Sequence, residues 1–393
     1  MSQRLISRSP DLTQLRDEGY EVAVTANYLV LSHVPYVTAN REVAYGTLVS
    51  ELELADDATV KPTNHVVTFS GEIPCDADGQ PLAKIINSSA QQVLAEGLEV
   101  EHTFSSKPSE GYADYFHKMT TYVSMLSRWA RTIDPDATAI TNPLIVPDEE
   151  EDSVFMYADT ASTRARISLV TDKLKIDRVA IVGVGGTGSY ILDLIAKTPV
   201  REVHLFDGDR FVQHNAFRSP GATAADDLAR VPQKVDYWAA QYSQLRRNVI
   251  PHDYYVDETN VGELRGMDFV FLALDDGDAR RLLVSSLEEF SIAFIDTGIG
   301  VYEGEGVLGG LVRLTTSTPV QRDHVHKNKR IPFTSSDDND YERNIQVADL
   351  NALNASLAVI RWKKLAGFYA DLEREHHSLY GISDNSLINE DCT

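Results

Sequence analysis

Residues 177–209, DRVAIVGVGGTGSYILDLIAKTPVREVHLFDGD, constrain the fold more than any other stretch. Residues 179–182 form an uninterrupted apolar run, the pattern of a strand buried on both faces of a parallel sheet. The run enters a GxGGxG turn made of Gly183, Gly185, Gly186 and Gly188. Residues 189–197 then carry a helical pattern, and 201–206 read as a second strand ending on Asp207. Glycines let backbone approach a phosphate closely, and the helix start offers unpaired N–H groups to its charge. Asp207 lies about twenty residues past the last glycine, where an acid accepts a ribose hydroxyl. Strand, turn, helix and acid in this order read as a nucleotide-binding βαβ unit. The turn alone does not separate NAD from ATP. It is not a Walker A loop, because no Gly-Lys-Ser/Thr follows it.

The same alternation continues downstream. Residues 232–247 read as a helix with Val235, Trp238, Tyr242 and Leu245 on one face, and 253–256 as a strand. MDFVFLAL, residues 267–274, is a buried strand ending in Asp275 and Asp276. A helix follows over 277–289 and a strand over 293–296. Residues 299–302 and 307–316 look like a hairpin around Gly304-Glu305-Gly306. Residues 322–343 are polar and charged, the composition of a surface loop. Residues 345–372 read as a long helix. The fold class expected is α/β: a Rossmann-like, mostly parallel sheet with helices on both faces.

Before residue 150 the pattern differs. Ser9-Pro10 opens a short helix that Gly19 ends. Residues 21–38, 42–53 and 64–72 are rich in Val, Thr and Tyr and partly alternate, as strands do. Residues 90–98 and 112–133 read as helices, the second with Tyr115, Met119, Tyr122, Leu126 and Trp129 at helical spacing. This is an α+β domain over 1–135. Residues 134–153 carry three prolines and an acidic run, and 136–153 are expected to be a linker. The Rossmann-like domain then spans 154–380, with 381–393 a flexible tail.

Composition excludes several classes. Net charge is −23, with 59 acids against 36 bases, and no basic stretch could track a nucleic-acid backbone. Two cysteines, Cys75 and Cys392, exclude a disulfide framework and a four-cysteine zinc site. The first eighteen residues lack an apolar core, no run is long enough to span a bilayer, and the cytoplasm is the default location.

A further polar set follows the ribose acid: Asp207-Gly208-Asp209, His214-Asn215-Ala216-Phe217-Arg218, Gln233-Lys234 and Leu274-Asp275-Asp276. A dehydrogenase needs no Asn, Arg and Lys in this order. An enzyme handling a triphosphate does, because cations neutralise phosphoryl charge and a carboxylate holds Mg²⁺. Taken singly, Arg218 and Lys234 read equally as surface cations, and Asp275 or Asp276 as a helix cap. As an ordered set they resemble the ThiF/MoeB-type activating enzymes, the family that includes the ubiquitin-activating enzymes. The resemblance covers residue 164 to the long C-terminal helix. It implies that Gly183, Gly185, Gly186 and Gly188 form the phosphate-side turn, and that Asp207, with Asp209 beside it, holds the ribose. It implies that Asn215, Arg218 and Lys234 contact the phosphates of ATP and that Asp275 holds Mg²⁺. Arg164, or Arg166 beside it, fits an arginine that the family often supplies from the second subunit of a dimer. The implied reaction joins the C-terminal glycine carboxylate of a ubiquitin-like protein to AMP, for transfer to a ubiquitin-conjugating-type carrier enzyme. As a whole the chain resembles bacterial members with an extra N-terminal domain, found in antiviral defence operons.

The departures from that pattern are specific. His214 stands where the family often has a small hydroxyl residue, and no paired CxxC motifs are present. No cysteine lies between Asp275 and the C-terminal helix, where thioester-forming members keep theirs. The remaining acyl acceptors are Thr334, Ser335, Ser336 and Cys392, or none, with transfer directly from the adenylate. Competing functions are adenylation of a small peptide precursor, NAD-dependent oxidoreduction, and nucleotide sensing by a non-catalytic scaffold.

Overall fold

The structure is a computed structural model. It describes residues 2–55, 58–146, 153–165, 167–333 and 345–393, with the side chains at 2–4, 163 and 164 excepted. Contacts divide the chain into two units, Met1–Asp152 with Tyr157–Arg166, and Ser153–Met156 with Ile167–Thr393.

In the first unit, six antiparallel strands lie in the order Glu21–Thr25, Tyr28–Val37, Val43–Glu51, Val66–Ser70, Leu98–Ser105, Ile86–Ala95. The expected first strand is two. Ala26 and Asn27, both at positive φ, turn the chain so that Thr25 faces Tyr28, the geometry a two-residue hairpin needs. Helix Tyr115–Ile133 is capped by the Asp114 carboxylate, which accepts the His117 N–H at 2.7 Å. Tyr115, Met119, Tyr122 and Leu126 join the core with Leu31, Val67, Phe69 and Phe104, while Trp129 is partly buried against a separate small cluster of Val37, Ala130 and Ala137. The helix expected over 90–98 is instead a hairpin. Gly97 turns at φ +74°, and residues 86–95 pair with 98–105 as an edge strand. Local helix propensity yields there to the open edge of a sheet. Residues 136–153 are not a free linker throughout: Ala137 and Ala139 are buried, and Ile140 bridges Tyr20. Residues 147–152 lie outside the described part.

The second unit is an eight-stranded sheet. Its strands are β1 (Arg178–Val182), β2 (Glu202–Phe206), β3 (Val249–His252), β4 (Phe269–Leu272), β5 (Ala293–Gly304), β6 (Val307–Ser317), β7 (His377–Gly381) and β8 (Ser386–Glu390). They lie in the order β3-β2-β1-β4-β5-β6-β7-β8. The first five are parallel and the last three antiparallel. Both faces are covered. Val179, Ile181, Phe269 and Phe271 pack with α1 (Gly186–Ala196), α2 (Lys234–Tyr242) and α4 (Ala348–Leu365). Ala180, Val182, Val270 and Leu272 pack on the other face with Leu283, Val284 and Leu287 of α3 (Gly277–Glu289). That division explains why β1 and β4 are apolar without alternation.

Three expectations shift here. The strand expected at 253–256 is at 249–252, which places Tyr254 and Tyr255 in the loop after it. Residues 293–304 are one continuous strand, hairpinned to β6 through Glu305 and Gly306, both at positive φ. The expected flexible tail contains β8, paired with β7 from Ser386 to Glu390. Beyond it, Asp391 accepts Arg330 Nε and Asn328 Nδ2, each at 2.7 Å. Of the apolar positions of α4, Ala355, Ala358, Val359 and Trp362 sit in the core, while Ile360 and Leu365 are exposed.

Sheet order reverses at β1, with β2 on one side and β4 on the other, which opens a crevice at their carboxyl ends. Opposite that crevice, Arg246 is fully buried and has carbonyls for partners. Its Nη1 donates to Thr198 O at 3.3 Å, its Nη2 to the carbonyls of Val200 and Arg201, and its Nε to Arg247 O at 3.0 Å. A cation is thus fixed at the negative end of α1, whose positive end faces the crevice.

Candidate functional site

The glycine turn is close-packed on one side and open on the other. A Cβ on Gly183 would lie 2.4 Å from the Ala273 carbonyl, and one on Gly188 would lie 1.8 Å from the Gly183 carbonyl. Those two glycines let the ends of β1 and β4 and the start of α1 approach one another. Over Gly185 there is open space, with nothing within 4 Å. Gly186 is shielded by Asn351, whose Nδ2 would lie 2.2 Å from an added Cβ. The first N–H groups of α1 have no partner within the helix and border that space.

Asp207 ends β2 and is buried, 8% exposed. Its Oδ2 accepts the Val184 N–H at 2.9 Å, and its Oδ1 accepts the Asp209 N–H at 2.9 Å. The acid therefore braces the glycine turn, with lone pairs left for a ligand hydroxyl. Lys234, at the start of α2, is 6% exposed. Its Nζ reaches Asp209 Oδ2 at 2.5 Å and Asp207 Oδ2 at 3.5 Å. The Tyr255 hydroxyl donates to the other oxygen of Asp209. Burial pushes the Asp209 carboxyl up, but the bonds from Lys234 and Tyr255 outweigh it and hold it below the usual range. Tyr255 is pushed up to about 12, first by that hydrogen bond, then by burial and by the charges of Asp209, Asp207 and Asp275.

Asn215 and Arg218 come from the short helix Gln213–Ala216 and the residues after it. Asn215 is 2% exposed; its Oδ1 accepts the Val212 N–H at 2.9 Å, while its Nδ2 is buried without a partner. Arg218 Nε, Ser219 Oγ and Gln233 Oε1 are likewise buried and unpaired. Four such atoms within one stretch leading to Lys234 are costly unless a polar ligand completes them. Donors and cations dominate the set, which fits the phosphates of a nucleotide.

The two aspartates after β4 separate cleanly. Asp276 caps α3, accepting the N–H groups of Asp278 and Ala279 at 2.9 Å. Asp275 is exposed beside it. Among the described residues no cluster of three or more His, Cys, Asp or Glu could hold a metal by itself. Mg²⁺ does not need one, because it binds through one or two carboxylates plus substrate phosphates. A single Asp275 at the crevice fits that mode.

Asn351 was not visible as a site residue in the sequence. It lies on the buried face of α4, accepts Thr187 Oγ1 at 2.9 Å and donates to Arg218 O at 3.3 Å. The available signal was two asparagines, Asn351 and Asn354, on the face that also carries Leu350, Ala355, Ala358 and Trp362. Tyr255 was missed because β3 was expected four residues too late. Arg164 ends the helix Thr160–Arg164 in the first unit, and its side chain is outside the described part, as is Arg166. Thr334, Ser335 and Ser336 also lie outside it. Cys392 is exposed directly after Asp391, and Cys75 is buried with its thiol raised by burial.

Residues 160–358, a little over half the chain, match the model of the ThiF family. The chain belongs to the ThiF family. Residues 10–160 match a domain of unknown function, DUF6791. Among curated relatives of this ThiF-family chain, ubiquitin-like modifier-activating enzyme 5 of Gallus gallus is 24% identical over 164 residues, 38% of this chain and 40% of that protein. The protein of the same name from Drosophila melanogaster is 26% identical over 149 residues, 34% of this chain and 36% of that protein. The matched part thus spans less than half the length of these relatives. Among solved structures, E. coli MccB with ATP aligns with a TM-score of 0.45 at 17% identity, covering 63% of this chain and 74% of that one. PaaA aligns with a TM-score of 0.44 at 18% identity, covering 57% and 75%.

Proposed function

We propose that the protein is an ATP-dependent adenylyltransferase that activates the C-terminal glycine carboxylate of a ubiquitin-like protein. The observation that carries the reading is the run of unpaired buried polar atoms on Asn215, Arg218, Ser219 and Gln233, leading into the buried Lys234 beside the glycine turn. The family membership supports adenylation, and the curated relatives, named as ubiquitin-like modifier-activating enzymes, support the acceptor class.

In this reading the α1 N-terminus and the open side of Gly185 receive the triphosphate. Asp207 holds the ribose while it braces the turn. The acceptor carboxylate attacks the α-phosphorus; the new O–P bond forms as the bond to the bridging oxygen of pyrophosphate breaks. A carboxylate is already ionised at neutral pH, so no general base is needed, and the work is alignment and charge neutralisation. Lys234 moves from Asp209 to the phosphates, and Arg218, with Arg164 from a second copy of the chain in a homodimer, shares the charge. Asp275 would hold Mg²⁺, which would supply further positive charge for the triphosphate. The first unit binds the ubiquitin-like protein or the carrier enzyme that takes the acyl group, in a bacterial conjugation pathway serving antiviral defence in the cytoplasm.

The test is pyrophosphate–ATP exchange with candidate ubiquitin-like proteins, each with and without its terminal glycine. Exchange that requires the glycine supports the reading. Exchange with short peptides alone replaces it with peptide-precursor adenylation. ATP binding with no exchange for any acceptor leaves a nucleotide-sensing scaffold.

A further inference from the structure

Asp296 has no exposed surface, although it is ionisable and lies in the middle of the sheet on β5, beside Leu272 of β4. Two arginines share it. Arg280 Nε donates to Oδ1 at 3.1 Å, and Arg313 Nη2 donates to Oδ2 at 2.6 Å. One arginine would neutralise the acid; the second leaves an excess of positive charge and of N–H donors that must be satisfied elsewhere.

The partners of those donors are specific. Arg280 Nη2 donates to the carbonyl of Leu274, the residue before Asp275, and its Nη1 to Pro332 O at 3.3 Å. Arg313 Nη1 donates to Thr315 Oγ1 at 2.9 Å and to Arg330 O at 3.2 Å. A guanidinium is a rigid planar fork, so fixing one edge on Asp296 fixes the direction of the other. The Leu274 carbonyl belongs to the peptide that leads into Asp275. Holding that carbonyl sets where the Asp275 carboxylate projects. The β4 end is pinned from the other side by Thr297 Oγ1, which donates to Leu272 O at 2.9 Å. Arg280 is only 7% exposed, so water does not compete for these bonds.

We propose that Arg280, oriented by Asp296, is a positioning residue that aims Asp275 at the metal-bound triphosphate and ties that peptide to the Pro332 segment. The proposal rests on the adenylation reading above. Arg313 is the internal control: it shares Asp296 but touches Arg330 and Thr315 instead of Leu274. A purely structural ion pair would treat the two arginines alike.

The experiment measures ATP binding to the full chain by calorimetry, with Mg²⁺ and with EDTA, for wild type, D275A, R280K, R313K and D275A/R280K. Lysine keeps the charge but cannot reach Asp296, Leu274 O and Pro332 O at once. In R280K, ATP affinity in Mg²⁺ should fall by about tenfold or more, the size expected when the support of a metal ligand is lost, with the EDTA affinity within about twofold. R313K should stay within about twofold in both buffers. In the D275A background R280K should add nothing, because the residue it aims is gone. If R280K fails to melt cooperatively, R280Q, which removes the buried charge and keeps one amide donor, carries the same expectation. Equal losses in R280K and R313K, an unchanged Mg²⁺ effect in R280K, or full additivity with D275A overturns the proposal. Wild type that binds no ATP overturns the adenylation reading and this inference with it; wild type with a Mg²⁺ effect that R280K retains overturns this inference alone.

Discussion

Replacing Lys234 with methionine separates what this lysine does for the fold from what it does for the reaction. The side chain is buried and touches two acids, at 2.5 Å and 3.5 Å. Removing one partner of a fully buried ion pair typically costs about 3–5 kcal/mol. Two features reduce that cost here. Asp209 is half-exposed and keeps the Tyr255 hydroxyl, and Asp207 keeps the N–H groups of Val184 and Asp209, both at 2.9 Å. The fold should therefore lose about 1.5–3 kcal/mol, the worth of one hydrogen bond to a charged group. The reaction should lose more. A cation aimed at charge that develops in the transition state is worth about 10²–10³ in rate, or about 3–4 kcal/mol. Urea unfolding gives the first number, and pyrophosphate–ATP exchange, run where the variant is fully folded, gives the second. Exchange within about threefold of wild type in folded Lys234→Met protein would refute the assignment. A stability loss large enough to account for the missing activity would refute the separation of roles.

Three further outcomes are expected. Asp275→Ala protein should lose exchange while melting normally, and Arg164→Ala should do the same if its arginine serves a second copy; mixing the two should restore part of the activity through hybrid dimers, whereas no recovery speaks against action in trans. His377 is pushed down to about 4 by burial and then by Arg330 and Arg313, against an ordinary 6.5; its folded value lies below its unfolded one, so its contribution is complete above pH 6.5 and lost as pH falls towards 4. That loss amounts to about 3 kcal/mol, and His377→Gln should flatten the stability curve across that window, an unchanged slope being the contrary result. Finally, enzyme, ATP and a ubiquitin-like protein should give no reductant-sensitive band on a denaturing gel if Cys392 is not the acceptor, and a hydroxide-labile band lost on triple alanine replacement of Thr334, Ser335 and Ser336 if an oxyester forms.

The ThiF-family half was legible because its signals are local and carry backbone consequences. Gly183 and Gly188 admit no Cβ, and apolar runs such as VAIV and FVFL have only one place in a parallel sheet. Asp276 as the α3 cap was one of two open readings, and geometry chose it over Asp275. What escaped depended on partners distant in sequence. Residues 90–95 have helix-forming side chains and become a strand only because 98–105 offers an edge. The ordering of 386–390 depends on β7, and that of Asp391 on Arg330. Cys392, expected in a flexible tail, instead follows an anchored strand. Asn351 reaches Thr187 across 164 positions, a pairing no local pattern encodes.

The chain passes between its two units more than once. Residues 153–156 belong with the second unit, where Arg247 N donates to Val154 O at 2.7 Å and Met156 N to Leu245 O at 2.9 Å. Residues 157–166 then return to the first, where Ala158 N donates to Ile145 O at 2.9 Å. No single cut therefore yields both halves intact. A fragment ending at 152 discards ten residues of its own unit, and one beginning at 167 starts without residues 153–156 and without Arg164. Gene fusion, shuffling or limited proteolysis at this junction would separate the glycine turn from the arginine proposed to serve it.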